Sequence, residues 1–359
     1  MQPGIADSAA SMRLVRIAVA ILLPWIALEA GLRLAGWSPP DLRPRTSLFP
    51  QFPPFYEPDR DLGWKLKPNL DWTDRELATP FHTDAHGNRR NPFLAAERLP
   101  STVDVIGDST TFGYGASDGR TFPATLQRLL NVEREGGETI VVRNLGVPGY
   151  TAVEARLLAE RDDHHAPVTI VLVGFNDHFG SVRPRIPSLW IRRASYACFR
   201  SLACSFLFDW STRRDPAAGP APRPVPASYF PEVPVSRYVA ELRRAVQALR
   251  ARGSEPILLV YPSLVVTDDV VRGIAEHFHH PLDVVDRNVA AHPRYQALTR
   301  DVAQLEGVAV VDLAAVFDAA GNQALHLDWV HPNETGLAVI AGAVLQPVQS
   351  ALARPRASP

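Results

Sequence analysis

Lysine is almost missing from this 359-residue chain: only Lys65 and Lys67 occur, both in Trp64-Lys65-Leu66-Lys67-Pro68. Neither follows a glycine-rich loop, which excludes a P-loop nucleotide site. A Schiff-base lysine would have to sit in that polar, proline-ended stretch, a poor setting for one. An excess of either charge is lacking as well: 37 Lys+Arg against 38 Asp+Glu leaves a net charge of −1. Without a basic field, no nucleic-acid partner is expected. Cysteine is scarce, with Cys198 and Cys204 alone, too few for a disulfide framework or, by themselves, a zinc site. Two buried thiols fit these positions, and so does one bridge in an exported chain. If both lay on one helix, a spacing of six would set them about 9 Å apart along the axis and exclude the bridge. No internal repeat at a period of 20–50 residues is present.

Long apolar runs are also few. The one near the N-terminus, Ile17 to Leu28 behind Arg13 and Arg16, has 12 clean residues, short of the roughly 20 that span a bilayer. It suits the core of a signal peptide, yet Leu28-Glu29-Ala30 is a poor cleavage site. If the helix continues to Trp37, Glu29 and Arg33 fall at i and i+4, where they pair, and Arg33 snorkels toward an interface. Residues 1–37 are therefore expected to be a signal or membrane-anchor segment, with an amphipathic helix packed on a soluble domain as the third option. Either export reading places the remainder outside the cytoplasm, periplasmic or extracellular, with the membrane as a partner through this helix.

What the chain has in quantity is apolar residues, 46%, enough for a large core. The 33 prolines cluster. Residues 38–100 read as a proline- and aromatic-rich strap followed by an irregular lead-in. From Thr102 strands alternate with helices. Strands are expected at 103–106, 139–142, 168–173, 257–260 and 308–311, and helices at 121–131, 152–161, 236–251, 294–305 and 334–352. That rhythm means a three-layer α/β/α domain over 101–352 with a mainly parallel, flavodoxin-like sheet, ending in a tail at 353–359. An insert at 180–235 breaks the rhythm; its length suits a lid or binding loop.

In an open parallel sheet, ligands bind beyond the carboxyl ends of the strands. Four polar or glycine-rich blocks stand there: Gly107-Asp108-Ser109-Thr110-Thr111-Phe112-Gly113, Asn144-Leu145-Gly146-Val147-Pro148-Gly149, Gly174-Phe175-Asn176-Asp177 and Asp328-Trp329-Val330-His331-Pro332. Together they supply a hydroxyl, an imidazole, a carboxylate and hydrogen-bond donors, the parts of a serine acyl-transfer site. No Gly-x-Ser-x-Gly occurs, so the nucleophile elbow of the α/β-hydrolases is not the source of that serine. His277, His279 and His280 cluster without a matching second segment, and His164 and His165 read as surface residues.

In order and spacing the four blocks resemble those of the SGNH/GDSL hydrolase superfamily, as membrane-linked or exported bacterial members carry them. Asp61-Leu62-Gly63-Trp64 and Thr83-Asp84-Ala85-His86-Gly87-Asn88-Arg89 look like the segment that precedes the catalytic domain there. The resemblance implies Ser109 as nucleophile, His331 as general base and acid, and Asp328 as the residue that holds the His331 tautomer. It implies an oxyanion hole of the Ser109 N–H, the Gly149 N–H and the Asn176 side-chain amide, with Gly146 the weaker glycine candidate. No metal and no organic cofactor are implied. Thr110 departs from the leucine of the name-giving block. Asp108 and Asp177 read as structural, bonding loop backbone. The implied activity is hydrolysis of a small acyl ester, acetyl foremost, on an alcohol such as an acetylated glycan, through an acyl-Ser109 intermediate. Two alternatives share these residues: an O-acyltransferase that moves acetyl to a glycan hydroxyl, with the insert as a water-excluding lid, and a catalytically silent glycan-binding module.

Overall fold

A computed structural model describes residues 6–37, 55–73, 79–93, 102–132, 139–161, 166–179, 193, 196–198, 200–212, 235–278 and 282–354. The chain divides into two contact-dense units. One comprises Met1–Pro54, Pro58–Gly63 and Ile186–Pro222; the other comprises Phe55–Glu57, Trp64–Arg185 and Arg223–Pro359.

The larger unit is organised by five short apolar strands. Ahead of them in sequence, β1 (Tyr56–Asp59) and β2 (Gly63–Leu66) each have residues assigned to both units, while β3 (Asp71–Thr73) and β4 (Pro80–His82) belong to the larger one and pair antiparallel. The central sheet consists of β5 (Val103–Gly107), β6 (Val142–Gly146), β7 (Val168–Leu172), β8 (Glu255–Val260) and β9 (Ala309–Asp312). Its order is β6-β5-β7-β8-β9 with every pairing parallel. This is the flavodoxin-like order, and the chain reverses direction across the sheet at β5, the position where such sheets open a crevice.

Side chains alternate to the two faces of each strand, so the sheet supplies two cores. Val103, Val105, Ile170, Leu172, Ile257 and Leu259 face one layer of helices. That layer holds α3 (Phe122–Asn131) and α11 (Glu334–Leu352), which bury Phe122, Leu126, Leu337, Ile340 and Val344. Ile106, Val171 and Leu258 face the other layer, built from α4 (Ala152–Ala159), α7 (Val235–Ala251) and α9 (Leu282–Glu306). Fully buried Leu, Ile and Val side chains contribute about 1.5–3 kcal/mol each, so this double core holds the strand ends in place. Among the described residues α11 is the one helix long and apolar enough to cross a membrane by length and composition. Its buried stripe of Leu337, Ile340, Ala341, Val344 and Val348 makes it a core helix instead.

Two details differ from the sequence expectation. The second strand lies at 142–146 and not at 139–142, because Val142 registers with Val103 and Gly146 with Gly107, which draws Asn144 and Gly146 into the strand. Helices α8 (Asp268–Phe278) and α10 (Leu313–Ala320) were not anticipated, and α9 begins twelve residues earlier than its expected start at 294. The remaining helices are α2 (Ser109–Phe112), α5 (Phe175–Phe179) and, in the smaller unit, α1 (Ala6–Leu34) and α6 (Leu202–Thr212).

In the smaller unit α1 contains the whole Ile17–Leu28 run. Ile21 is 64% exposed, and Leu22, Leu23 and Ile26 are similarly bare. Arg33 donates to Glu29 at 2.5 Å, as their spacing expects. The other Glu29 oxygen accepts from the Ala203 N–H at 2.8 Å and the Ser201 hydroxyl at 3.0 Å, so a carboxylate on an otherwise apolar helix caps the start of α6. Trp37 meets Phe206 edge-on at 5.5 Å. The chain leaves the helical conformation at Ser201, which puts Cys198 and Cys204 on different helical segments. Their Cα atoms are 5.3 Å apart and the two are bridged, within the range a disulfide spans. The strap over 38–54, the stretches 180–192 and 213–234 of the expected lid, and His164, His165, His279 and His280 lie outside the described residues.

Candidate active site

The site begins with a turn that few sequences could make. β5 ends at Gly107, where a Cβ would lie 2.1 Å from Thr111 Oγ1 and 2.6 Å from the Leu172 carbonyl. Only glycine lets the chain turn that tightly between two neighbours. Asp108 then caps the single turn of α2, accepting from the Thr110 N–H at 3.0 Å. Gly113, with φ of 83°, closes the turn in the left-handed region. Ser109 is thereby fixed as the first residue of a helical turn at the carboxyl edge of the sheet.

His331 arrives from the turn before α11. Asp328 Oδ1 accepts from the Val330 and His331 N–H groups at 2.8 and 2.7 Å, which folds Asp328–His331 tightly enough for the side chains to meet. Asn333 accepts from the Gly336 N–H at 3.0 Å and so starts α11. Its amide also donates to the Ala324 carbonyl at 2.9 Å, so Asn333 has a structural part here. His331 Nδ1 lies 2.7 Å from Asp328 Oδ2 and His331 Nε2 2.9 Å from Ser109 Oγ. An ionised carboxylate only accepts, so Nδ1 carries the proton and Nε2 accepts the Ser109 O–H. Burial pushes the Asp328 carboxyl up, but the hydrogen bond and charge of His331 outweigh it, and Asp328 stays below its ordinary value. The Tyr114 ring lies 4.5 Å from the His331 ring. Such a chain can deprotonate Ser109, store the proton on the imidazole beside a carboxylate, and return it to a leaving alcohol.

The residues expected to donate follow neighbouring strands. Gly149 sits at a turn with φ of 89°, and among the described residues its N–H has no protein acceptor. Gly146 differs: its N–H donates to Asn144 Oδ1 at 2.9 Å, and a Cβ there would meet the Phe112 nitrogen at 2.3 Å. Gly146 is therefore required for packing α2 on β6, which leaves Gly149 as the glycine candidate for a donor. Asn176, on α5, is 8% exposed, as is Ser109. Its amide donates to the Tyr150 carbonyl at 3.0 Å and to Asp108 Oδ2 at 3.3 Å. Asp177 takes the Ala152 N–H at 3.2 Å and so positions α4, as expected of a structural carboxylate.

Sequence reasoning missed the support behind these groups. Tyr261 hydrogen-bonds Thr110 at 2.5 Å and Asp108 at 3.3 Å. Asp108 is fully buried and its carboxyl is pushed up to about 7, chiefly by desolvation. The irregular lead-in also turns out to be a brace. Buried Arg89 donates to Asp118 at 2.8 Å and to the Ala116 carbonyl at 2.7 Å. Its guanidinium lies over the rings of Phe81 and Phe112 at 5.1 and 4.5 Å, with burial lowering it to about 10. Tyr150, whose carbonyl holds Asn176, is itself held through its hydroxyl by the Trp64 carbonyl at 2.7 Å. Among the described residues no group of His, Cys, Asp and Glu is arranged to hold a metal ion.

A parallel sheet that presents a hydroxyl, imidazole and carboxylate in hydrogen-bonded series at its carboxyl edge defines a serine hydrolase. The family is fixed by sequence: residues 105–339 match the model of the GDSL-like lipase/acylhydrolase family, about two thirds of the chain, and the chain belongs to that family as an ester-cleaving enzyme. No curated protein sequence matches it. Among solved structures it resembles Axe2, an acetylxylan esterase from Geobacillus stearothermophilus, at 18% identity and a TM-score of 0.43, covering 71% of this chain and 96% of that one. It also resembles LAE5, an alpha/beta hydrolase enzyme from the metagenome of Lake Arreo, Spain, at 20% identity and a TM-score of 0.43, covering 71% and 98%. Identities this low are a likeness of fold alone.

Proposed function

We propose that this GDSL-type esterase cleaves short acyl esters, acetyl foremost, through an acyl-Ser109 intermediate, with His331 as general base and acid and Asp328 as its orienting partner. The observation that carries the reading is the continuous pair of contacts at 2.9 Å from Ser109 to His331 and 2.7 Å from His331 to Asp328. The oxyanion would be met by the Ser109 and Gly149 N–H groups and the Asn176 amide, which stand beyond three separate strands. A short acyl group fits a nucleophile only 8% exposed. A glycan hydroxyl as the alcohol rests on the export reading and on family analogy.

We place the catalytic unit outside the cytoplasm, anchored by α1. Two features support this: the bare apolar side chains of α1 between Ile21 and Ile26, and the Cys198–Cys204 bridge, a bond that oxidising compartments preserve. Turnover of p-nitrophenyl acetate by the detergent-solubilised full chain tests the chemistry. Steady release that disappears in Ser109→Ala is expected; release that survives in that variant would overturn the assignment. Membrane fractionation and protease accessibility in intact cells test the placement, which fails if the chain is recovered soluble in the cytosol.

A further inference from the structure

Behind Ser109 runs a hydrogen-bond circuit that the acyl chemistry does not itself use. The Asn176 side-chain nitrogen has two hydrogens, and both face acceptors: the Tyr150 carbonyl at 3.0 Å and Asp108 Oδ2 at 3.3 Å. Two acceptors on one side fix the amide's orientation, because the flipped amide would set its oxygen against them. Asp108 is 0% exposed. Its other oxygen takes the Thr110 N–H at 3.0 Å and the Tyr261 hydroxyl at 3.3 Å. The Tyr261 O–H has a single hydrogen; with that hydrogen on Asp108, the Thr110 hydroxyl 2.5 Å away donates to the Tyr261 oxygen. The order is Thr110 to Tyr261 to Asp108, with Asn176 on the far carboxylate oxygen. Tyr261 is pinned in turn, since Gln296 donates to its carbonyl at 2.9 Å and His292 Nε2 meets the next carbonyl, Pro262, at 2.9 Å. Leucine at position 110, as in the name-giving block, could not make the first of these contacts.

We propose that Asp108 is a positioning residue of the oxyanion hole, and that the Thr110–Tyr261 hydroxyl pair holds it in that role. Asp108 keeps the Asn176 amide in the donating orientation in the resting enzyme. When the oxyanion forms, the Asn176 hydrogen on Asp108, the longer of its two bonds, passes to the oxyanion. Asp108 Oδ1 then retains the Thr110 N–H and the Tyr261 O–H, which hold the carboxyl in place while Oδ2 gives up its donor. This rests on the reading of Asn176 as an oxyanion donor and goes beyond it, because it assigns a second tier of residues and explains a departure from the family pattern.

The test uses the detergent-solubilised full chain, p-nitrophenyl acetate as substrate and phenylboronic acid as a tetrahedral mimic. Tyr261→Phe and Thr110→Val should each lower kcat by about 10-fold, a part of the 10²–10³ that an oxyanion donor is worth, with KM within about two-fold. Boronate affinity should fall by the same factor as kcat. The double variant should be little worse than either single one, because the two hydroxyls act in series. Asp108→Asn should cost about 100-fold, since its amide would face the Asn176 amide donor to donor. If Tyr261→Phe and Thr110→Val leave kcat and boronate affinity unchanged, or if kcat falls only as far as the melting temperature does with boronate affinity intact, the proposal is wrong. Should Asn176→Ala itself leave kcat untouched, the oxyanion reading fails first, and that failure is separate.

Discussion

The two units of the chain use apolar side chains in opposite ways. In the larger unit the strands bury theirs on both faces: Val103, Ile106, Ile170, Leu172 and Leu258 are all at 0% exposure. In the smaller unit α1 leaves Ile21, Leu22, Leu23 and Ile26 between 55% and 64% exposed. Burial in water explains the first unit completely, because its strands and helices cover one another. On α1 the same kinds of side chain stay exposed, which is the observation behind the proposed anchor. Polar residues divide in the same way. In the larger unit Asp328 meets the imidazole of His331 at 2.7 Å, whereas Glu29 on α1 caps α6.

The contrast can be broken or sharpened by substitution. The largest effect belongs to the chemistry: Asp328→Asn should lower kcat by about 10³–10⁴ with little loss of fold, since it removes the acceptor that holds the His331 tautomer. Steady-state kinetics beside a thermal melt would check it, and a loss under tenfold would contradict the role. Next comes Gly146→Ala. Its Cβ would stand 2.3 Å from the Phe112 nitrogen, a backbone contact that cannot give way cheaply, so about 3 kcal/mol of stability should be lost in urea unfolding.

Asp108 predicts a pH effect. Its carboxyl is raised to about 7 in the folded chain by burial, well above the roughly 3.9 of an unfolded aspartate. The native state therefore keeps the proton up to about pH 7 and holds a carboxylate above it, so that stability is present below about pH 4 and lost as pH rises to about 7. Thr110, Tyr261 and Asn176 hydrogen-bond this carboxyl, and His331 acts on it through charge. Relative to the parent, Asp108→Asn should gain on the order of 1–3 kcal/mol between those limits, read as paired melts across the pH series; parallel melting curves would be evidence against it. The smallest effect on folding is expected where the apolar surface is bare. Replacing Leu22, Leu23 and Ile26 together with serine should leave the melt of the catalytic unit within about 0.5 kcal/mol. The same change should move the chain from membrane to soluble fractions, and unchanged fractionation would remove the case for α1 as an anchor.

Much of the fold was legible because its signals are local. β-branched runs such as Val168–Leu172, and residues with distinctive chemistry just beyond them, mark strands and their functional ends without any knowledge of packing. Ser109, Asp328, His331, Gly149 and Asn176 stand in those blocks and took their roles from the family resemblance, and the structure brings them to one sheet edge. What escaped was set by distant partners. The second strand was placed three residues early because its register comes from β5 and not from its own composition. Helix α10 has little periodicity in Leu313–Ala320, although its Asp312 cap and left-handed Gly321 were readable signals. Tyr261 reaches Thr110 across 151 positions, and Arg89 reaches Asp118 from a segment that looked irregular; no nearby residue announces either pairing. The cysteine bridge depended on a helix break at Ser201, where Glu29 supplies the cap from another helix.

The central claim is that Ser109 carries the acyl group. Quenching the full chain during p-nitrophenyl acetate turnover, then mapping peptides by mass spectrometry, tests it most directly. One acetyl group is expected on the peptide containing Ser109, absent from Ser109→Ala and persisting longer in Asp328→Asn. Acetylation elsewhere with Ser109 unmodified, or undiminished turnover without any acyl-enzyme in Ser109→Ala, would contradict it.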